Sequence, residues 1–168
     1  IFVANEMSVN SIIMKLERMG LRNKLAQCKN RFSMTYCDDV DKLIWNLMTN
    51  EKFSNLIPKK PENTETMADF VPDKEVVLIV DSGSCMKATN TDGSEIYSDA
   101  RRFKVVCEAL GNFSSTHFVT LVMLGHMGSA KTAKGGTFIP HLYDTKFDMI
   151  KIRDKDTGTV SSAIRIDK

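Results

Sequence analysis

Five consecutive apolar residues, Val76-Val77-Leu78-Ile79-Val80, run between Glu75 and Asp81. An unbroken run rich in β-branched side chains predicts a strand buried on both faces, as in a parallel sheet. The run ends in an acid, so Asp81 stands at the carboxyl edge of that sheet. Open α/β sheets place their ligands at this edge. Two readings of Asp81 are open from the stretch alone. It caps the next turn through a hydrogen bond to the backbone, or it belongs to a metal or phosphate site.

The rest of the chain supplies neighbours for such a strand. Residues 1–4 read as a short buried strand, followed by the turn Asn5-Glu6-Met7-Ser8. Ser8 is a good helix N-cap, Val9, Ile12, Ile13, Leu16 and Met19 recur at helical spacing, and Gly20 supplies a stop. Residues 33–37 read as a second strand. Asp38 or Asp39 can cap a helix with Val40, Leu43, Ile44, Leu47 and Met48 on one stripe, and Trp45 reads as a packing residue at the core edge. Residues 51–74 carry Pro58, Pro61 and Pro72 among polar residues and read as a surface connection. Residues 83–97 read as a second polar loop. Ser98 can cap a helix whose face is Phe103, Val106, Cys107 and Leu110. Residues 118–124 read as another apolar strand, ending in Gly125-His126. Residues 147–152 and 160–166 read as a pair of strands joined around Asp154-Lys155-Asp156-Thr157-Gly158. Strands alternating with helices predict an α/β sheet with helices on both faces and right-handed crossovers. Phe113, Phe138 and Phe147 read as core or interface aromatics.

With 168 residues the chain has length for a single domain, 1–168, with one core. A net charge of +2 leaves any basic surface local. Its four cysteines form no Cys-x-x-Cys pair and it has three histidines, so a zinc site is not expected. The cysteines read as reduced core thiols of a cytoplasmic protein. No apolar run approaches the ~18 residues of a membrane span, and no signal peptide is visible.

Three polar residues follow three predicted strands: Glu6, Asp81 and His126. If the strands are parallel neighbours, all three lie along one edge. Asp81 suits a hydrated Mg²⁺, which prefers oxygen ligands and keeps its waters. Glu6 suits a carboxylate that polarises a water. His126 suits an imidazole that switches hydrogen-bond partners, or a histidine satisfied within a turn. Residues 127–136 form a small, flexible stretch with Lys131, Lys134, Gly135 and Gly136. It is either a solvated loop or a weak, salt-sensitive contact for about two phosphates.

In order along the chain, these pieces resemble the RecA superfamily of ATPases. Asn5-Glu6-Met7-Ser8 and Leu16-Glu17-Arg18-Met19-Gly20 resemble the corresponding parts of DnaB-type helicases and bacterial RadA. Val77-Leu78-Ile79-Val80-Asp81-Ser82 resembles the Walker B strand. Leu124-Gly125-His126, Gly135-Gly136, His141-Leu142-Tyr143-Asp144 and the terminal Ile164-Arg165-Ile166-Asp167-Lys168 are similar in order and spacing to the end of that core. The resemblance implies a RecA-like three-layer αβα sandwich with a mostly parallel central sheet and a C-terminal β-hairpin. It implies a DNA-dependent ATPase of recombination, repair or helicase work, using ATP and Mg²⁺ and binding single-stranded DNA. By the same carry-over Glu6 activates the attacking water, and Asp81 holds Mg²⁺ and, with Ser82, lines the nucleotide site. His126 is the sensor linking nucleotide state to DNA. Lys131, Lys134, Gly135 and Gly136 belong to the second DNA-binding loop, and residues 87–98 match the first. Lys168 reaches a neighbouring subunit's nucleotide in a homo-oligomeric ring or filament.

One part of the family pattern is missing. The sequence contains no Gly-x-x-x-x-Gly-Lys-[Ser/Thr], the loop that cradles phosphates. The chain is therefore expected to be a fragment without the first strand, P-loop and first helix, and inactive alone. The alternatives are a non-catalytic RecA-like paralogue and a von Willebrand A-type metal-dependent binding domain. Asp81-Ser82-Gly83-Ser84-Cys85-Met86 and Gly135-Gly136-Thr137 faintly resemble that last family, with the serines one residue out of step.

Overall fold

The structure, a computed structural model, describes residues 1–28, 31–59, 71–125, 146–154 and 157–167. The apolar run forms strand β3 (Val76–Asp81). On one side it pairs with β1 (Phe2–Ala4), which in turn pairs with β2 (Met34–Tyr36). On its other side lies β4 (Val119–Leu124). All pairings are parallel, giving a four-stranded sheet in the order β2-β1-β3-β4. The protein is thus an α/β protein built on a parallel sheet.

Helix α1 (Val9–Arg18) follows β1 and starts where the sequence predicts. The Ser8 hydroxyl accepts the Ser11 N–H, and Gly20 ends the unit at φ +72°. Helix α2 (Arg22–Gln27) continues from it, although the sequence reading placed no helix there. Helix α3 (Val40–Thr49) is capped by the Asp39 carboxylate, which accepts the Lys42 N–H at 2.9 Å. A short helix α4 (Glu51–Ser54) follows, in a region read as surface connection. Phe53 and Ile57 explain it, because both are buried and anchor this stretch to the core. Helix α5 (Asp99–His117) leads into β4 through Phe118, a left-handed residue at φ +54°. Ser98 sits at its N-cap position but makes no side-chain capping bond. Beyond the sheet, β5 (Lys146–Arg153) and β6 (Val160–Asp167) form an antiparallel pair. The Asp154 carboxylate accepts the Thr157 N–H in their turn, and Gly158 takes φ +70°.

Connection directions decide which face of the sheet becomes the core. The chain moves one way from β1 to β2, and the other way from β2 to β3 and from β3 to β4. Right-handed crossovers then put α1 on one face and both α3 and α5 on the other. Contacts between α3 and α5 agree with this. The α3–α5 side holds the core: Val3, Leu78 and Val80 from the sheet, Val40, Leu43 and Leu47 from α3, and Val106, Leu110 and Phe113 from α5.

The opposite face is less covered. Val77 keeps 43% of its surface exposed, and Val122 and Leu124 are exposed beside it, among the described residues. β3 is therefore buried on one face and not on both, as its apolar run had predicted. α1 contributes no fully buried residue to that face. Trp45 is a second departure: at 70% exposure it lies on the solvent side of α3, not at the core edge. Met48, expected on the buried stripe, is also exposed.

Candidate functional site

Register places the site. Ala4 is paired with Asp81, and Asp81 with Leu124, so β1, β3 and β4 reach the carboxyl edge together. The Asn5 N–H donates to the Asp81 carbonyl at 3.0 Å, carrying the β1–β3 ladder one step further. Beyond it the Asn5 side chain takes over. Its Nδ2 donates to the Ser82 carbonyl at 2.6 Å, and its Oδ1 accepts the Ser82 N–H at 2.7 Å. One buried amide thus satisfies the N–H of a residue that is 1% exposed and shares its carbonyl, which also accepts the Cys85 N–H at 3.2 Å. The Asp81-Ser82 peptide is cis.

This clamp fixes the turn that follows β3. Gly83–Cys85 forms one turn of 3₁₀ helix. A Cβ on Gly83 would come within 3.0 Å of Met123 Sδ and 3.5 Å of a Phe103 ring carbon, so glycine lets the turn press onto β4 and α5. The chain then runs past the end of β2. Lys87 N–H donates to the Asp38 carbonyl and the Lys87 carbonyl accepts the Val40 N–H. Met86, Ala88 and Ile96 are buried, so residues 83–97 are anchored where the sequence reading saw a polar loop. Lys87 and Asp38 pair at 2.9 Å, and this bond holds the Asp38 carboxyl below the ordinary carboxylate range.

Glu6 lies where the turn meets the end of β1. Ser82 Oγ donates to Glu6 Oε1 at 2.6 Å and Cys85 Sγ donates to the same oxygen at 2.8 Å. Ser84 Oγ is 3.2 Å from Ser82 Oγ. Asp81 is half-buried, and no hydrogen bond or ion pair to its carboxylate occurs among the described residues. The capping reading of Asp81 is therefore not what this turn uses.

Of the sequence-predicted site residues, Glu6, Asp81 and Ser82 are brought to one edge. His126, Lys131, Lys134, Gly135, Gly136 and Lys168 lie outside the described residues, as do Phe138 and the Gly135-Gly136-Thr137 segment. β4, which leads towards His126, does end beside Asp81. The sequence reading missed Asn5 and Cys85. Asn5 stood in plain view as the first residue after β1, but its partner is 77 residues away. Cys85 was grouped with core thiols. It is exposed, as is Cys28, whereas Cys37 and Cys107 are buried.

The donor set is hard oxygen: two carboxylates and a hydroxyl. A hydrated Mg²⁺ would need only one or two protein carboxylates, and Glu6 and Asp81 both stand on this edge. No cluster of three or more acidic, histidine or cysteine side chains forms a cage among the described residues. A phosphate cradle is absent from the sequence, so the residues do not by themselves fit a nucleotide. Among the described residues no helix is long and apolar enough to cross a membrane. No family model matches the chain and no curated protein matches it.

Proposed function

We propose that this chain supplies the Walker B half of a RecA-like ATPase that works on single-stranded DNA. The observation that carries the reading is the pairing of β1 with β3 in parallel, which brings Glu6 and Asp81 to the same sheet edge. The rest of the RecA-like three-layer architecture, including the assignment of the β5–β6 hairpin to it, belongs to the same proposal. In this reading Asp81 holds Mg²⁺ through water, and the ion supplies charge neutralisation for a phosphoryl group. Glu6 orients and polarises a water, with its carboxylate direction set by Ser82 and Cys85. His126 senses the nucleotide state, and Lys131 and Lys134, with the Gly135-Gly136 pair, contact DNA phosphates. Ser82 and Lys168 complete the nucleotide contacts in a ring or filament of identical subunits. The phosphate-binding loop has to come from sequence outside these 168 residues, so the chain alone is expected to turn over no ATP.

The test is Mg²⁺-dependent ATP hydrolysis in the complete, phosphate-binding protein, with and without single-stranded DNA. DNA stimulation supports the reading. Lys131→Ala with Lys134→Ala should weaken DNA binding and make the slope of log affinity against log salt shallower by roughly 1.4, the loss of two single-strand phosphate contacts. An unaltered slope would remove residues 127–136 from the DNA path. Divalent-metal-dependent binding of a protein, indifferent to nucleotide and DNA, would favour the von Willebrand A-type alternative instead.

A further inference from the structure

Asn5 holds three consecutive polar atoms of the main chain that leaves β3. Its backbone N–H donates to the Asp81 carbonyl at 3.0 Å, its Oδ1 accepts the Ser82 N–H at 2.7 Å, and its Nδ2 donates to the Ser82 carbonyl at 2.6 Å. The backbone pairing of β1 with β3 ends one residue earlier, at Ala4 and Asp81. A primary amide offers an acceptor and a donor, as a peptide group does. The Asn5 side chain, on a residue only 9% exposed, therefore carries the pairing one residue further. Among the described residues no hydrogen bond or ion pair orients the Asp81 carboxylate, so its direction depends on the backbone that bears it. Both polar atoms of the peptide group joining Asp81 to Ser82 are bonded to Asn5. We propose that Asn5 is a positioning residue for Asp81: it locks the backbone on the far side of that residue and so fixes where the carboxylate stands on the sheet edge. As a statement about metal binding this rests on Asp81 holding Mg²⁺ in the proposed ATPase; the backbone lock itself stands apart from that reading.

Residue type supports the role. Aspartate would keep the acceptor and lose the donor, leucine would lose both, and glutamine would carry the amide one methylene further out. The two partners lie 77 positions apart, and Glu6 is the residue after Asn5, so one side chain ties the strand end that bears Glu6 to the one that bears Asp81. The Ser82 carbonyl has a second donor in the Cys85 N–H, whereas the Ser82 N–H is held by Asn5. That N–H is therefore the atom whose behaviour reports the lock. Glu6 and Asp81 stay unchanged in the variant used below.

The first experiment follows amide hydrogen exchange by NMR in the 168-residue chain, with rates corrected for intrinsic exchange. In the wild type the Ser82 N–H should be as protected as the Ile79 N–H, which donates to the Ile1 carbonyl at 2.8 Å. Asn5→Ala should speed exchange at Ser82 by roughly tenfold or more relative to Ile79. A general loss of stability speeds both amides alike and leaves their ratio unchanged. An unchanged ratio would overturn the proposal. So would a wild-type Ser82 amide that exchanges like one in an exposed loop, a result that needs no folded variant. In the complete protein, Asn5→Ala should raise the Mg²⁺ concentration for half-maximal ATP hydrolysis by roughly tenfold, as the loss of a group that orients a metal ligand does. A merely structural role would lower kcat through the folded fraction and leave that concentration where it was. If the Ser82 amide behaves as expected but the wild-type protein hydrolyses no ATP, the backbone lock stands and the ATPase reading falls. If ATP is hydrolysed and the Mg²⁺ requirement does not move, the positioning role falls alone.

Discussion

Burial, more than residue type, separates the chain's titratable side chains into reactive and silent ones. Cys107 shows the extreme: desolvation beneath α5, helped by the neighbouring Glu108, pushes its thiol up to about 12. Cys37 is raised as well, chiefly by burial. Both are therefore inert at neutral pH, while Cys28 and Cys85 face solvent. His117, at the end of α5, packs against Phe113 with ring centroids 4.7 Å apart. Burial there lowers its pKa from the ordinary 6.5. Around and just below that pH the unfolded chain binds more protons than the folded one. The folded state therefore loses stability as pH falls through this window and regains it as pH rises. His117→Gln removes this titrating group. The melting temperature of the wild type should fall relative to that of the variant between about pH 7.5 and about pH 5.5. Parallel curves would show that His117 is equally solvated in both states.

Helix α3 carries two large residues whose fates its sequence does not announce equally well. Leu47 is 0% exposed and Trp45, two positions earlier, is 70% exposed. Leu47→Ala should cost roughly 2–5 kcal/mol of unfolding free energy, as other buried leucine truncations do. Trp45→Ala should stay within about 0.5 kcal/mol. Urea unfolding of both variants checks the pair, and comparable losses would mean that Trp45 has a packing partner. The apolar stripes of α1, α3 and α5 were legible because 3.6-residue spacing repeats over several turns. The Ser8 and Asp39 caps were legible because a short polar side chain precedes each stripe. α2 and α4 were not, since helices of one or two turns show too few periods to stand out. The 83–97 segment was misread for a different reason. Its anchors Met86, Ala88 and Ile96 are buried at irregular spacing among polar neighbours, so composition hides them. The β5–β6 pair was legible from its turn chemistry.

At the scale of the whole molecule, strand order does what no local pattern could announce. Parallel pairing of β1, β3 and β4 collects side chains from distant parts of the chain on one carboxyl edge. The sequence suggested which residues stand there, Glu6 and Asp81, because Asp81 closes one apolar strand and Glu6 comes two residues after another. It could not suggest how they are held. The Asn5–Ser82 clamp and the Cys85–Glu6 contact each join residues more than 70 positions apart, and depend on the register of β1 against β3. The same topology leaves the face bearing Val77, Val122 and Leu124 more open than the α3–α5 face, among the described residues. The central proposal is that this edge brings together a water-activating carboxylate, Glu6, and a Mg²⁺-holding one, Asp81. Its most direct test is Glu6→Gln in the complete protein, with ATP binding and DNA-stimulated hydrolysis measured side by side. The account predicts that binding is retained while turnover falls by roughly 100-fold or more; turnover equal to that of the wild type would contradict it.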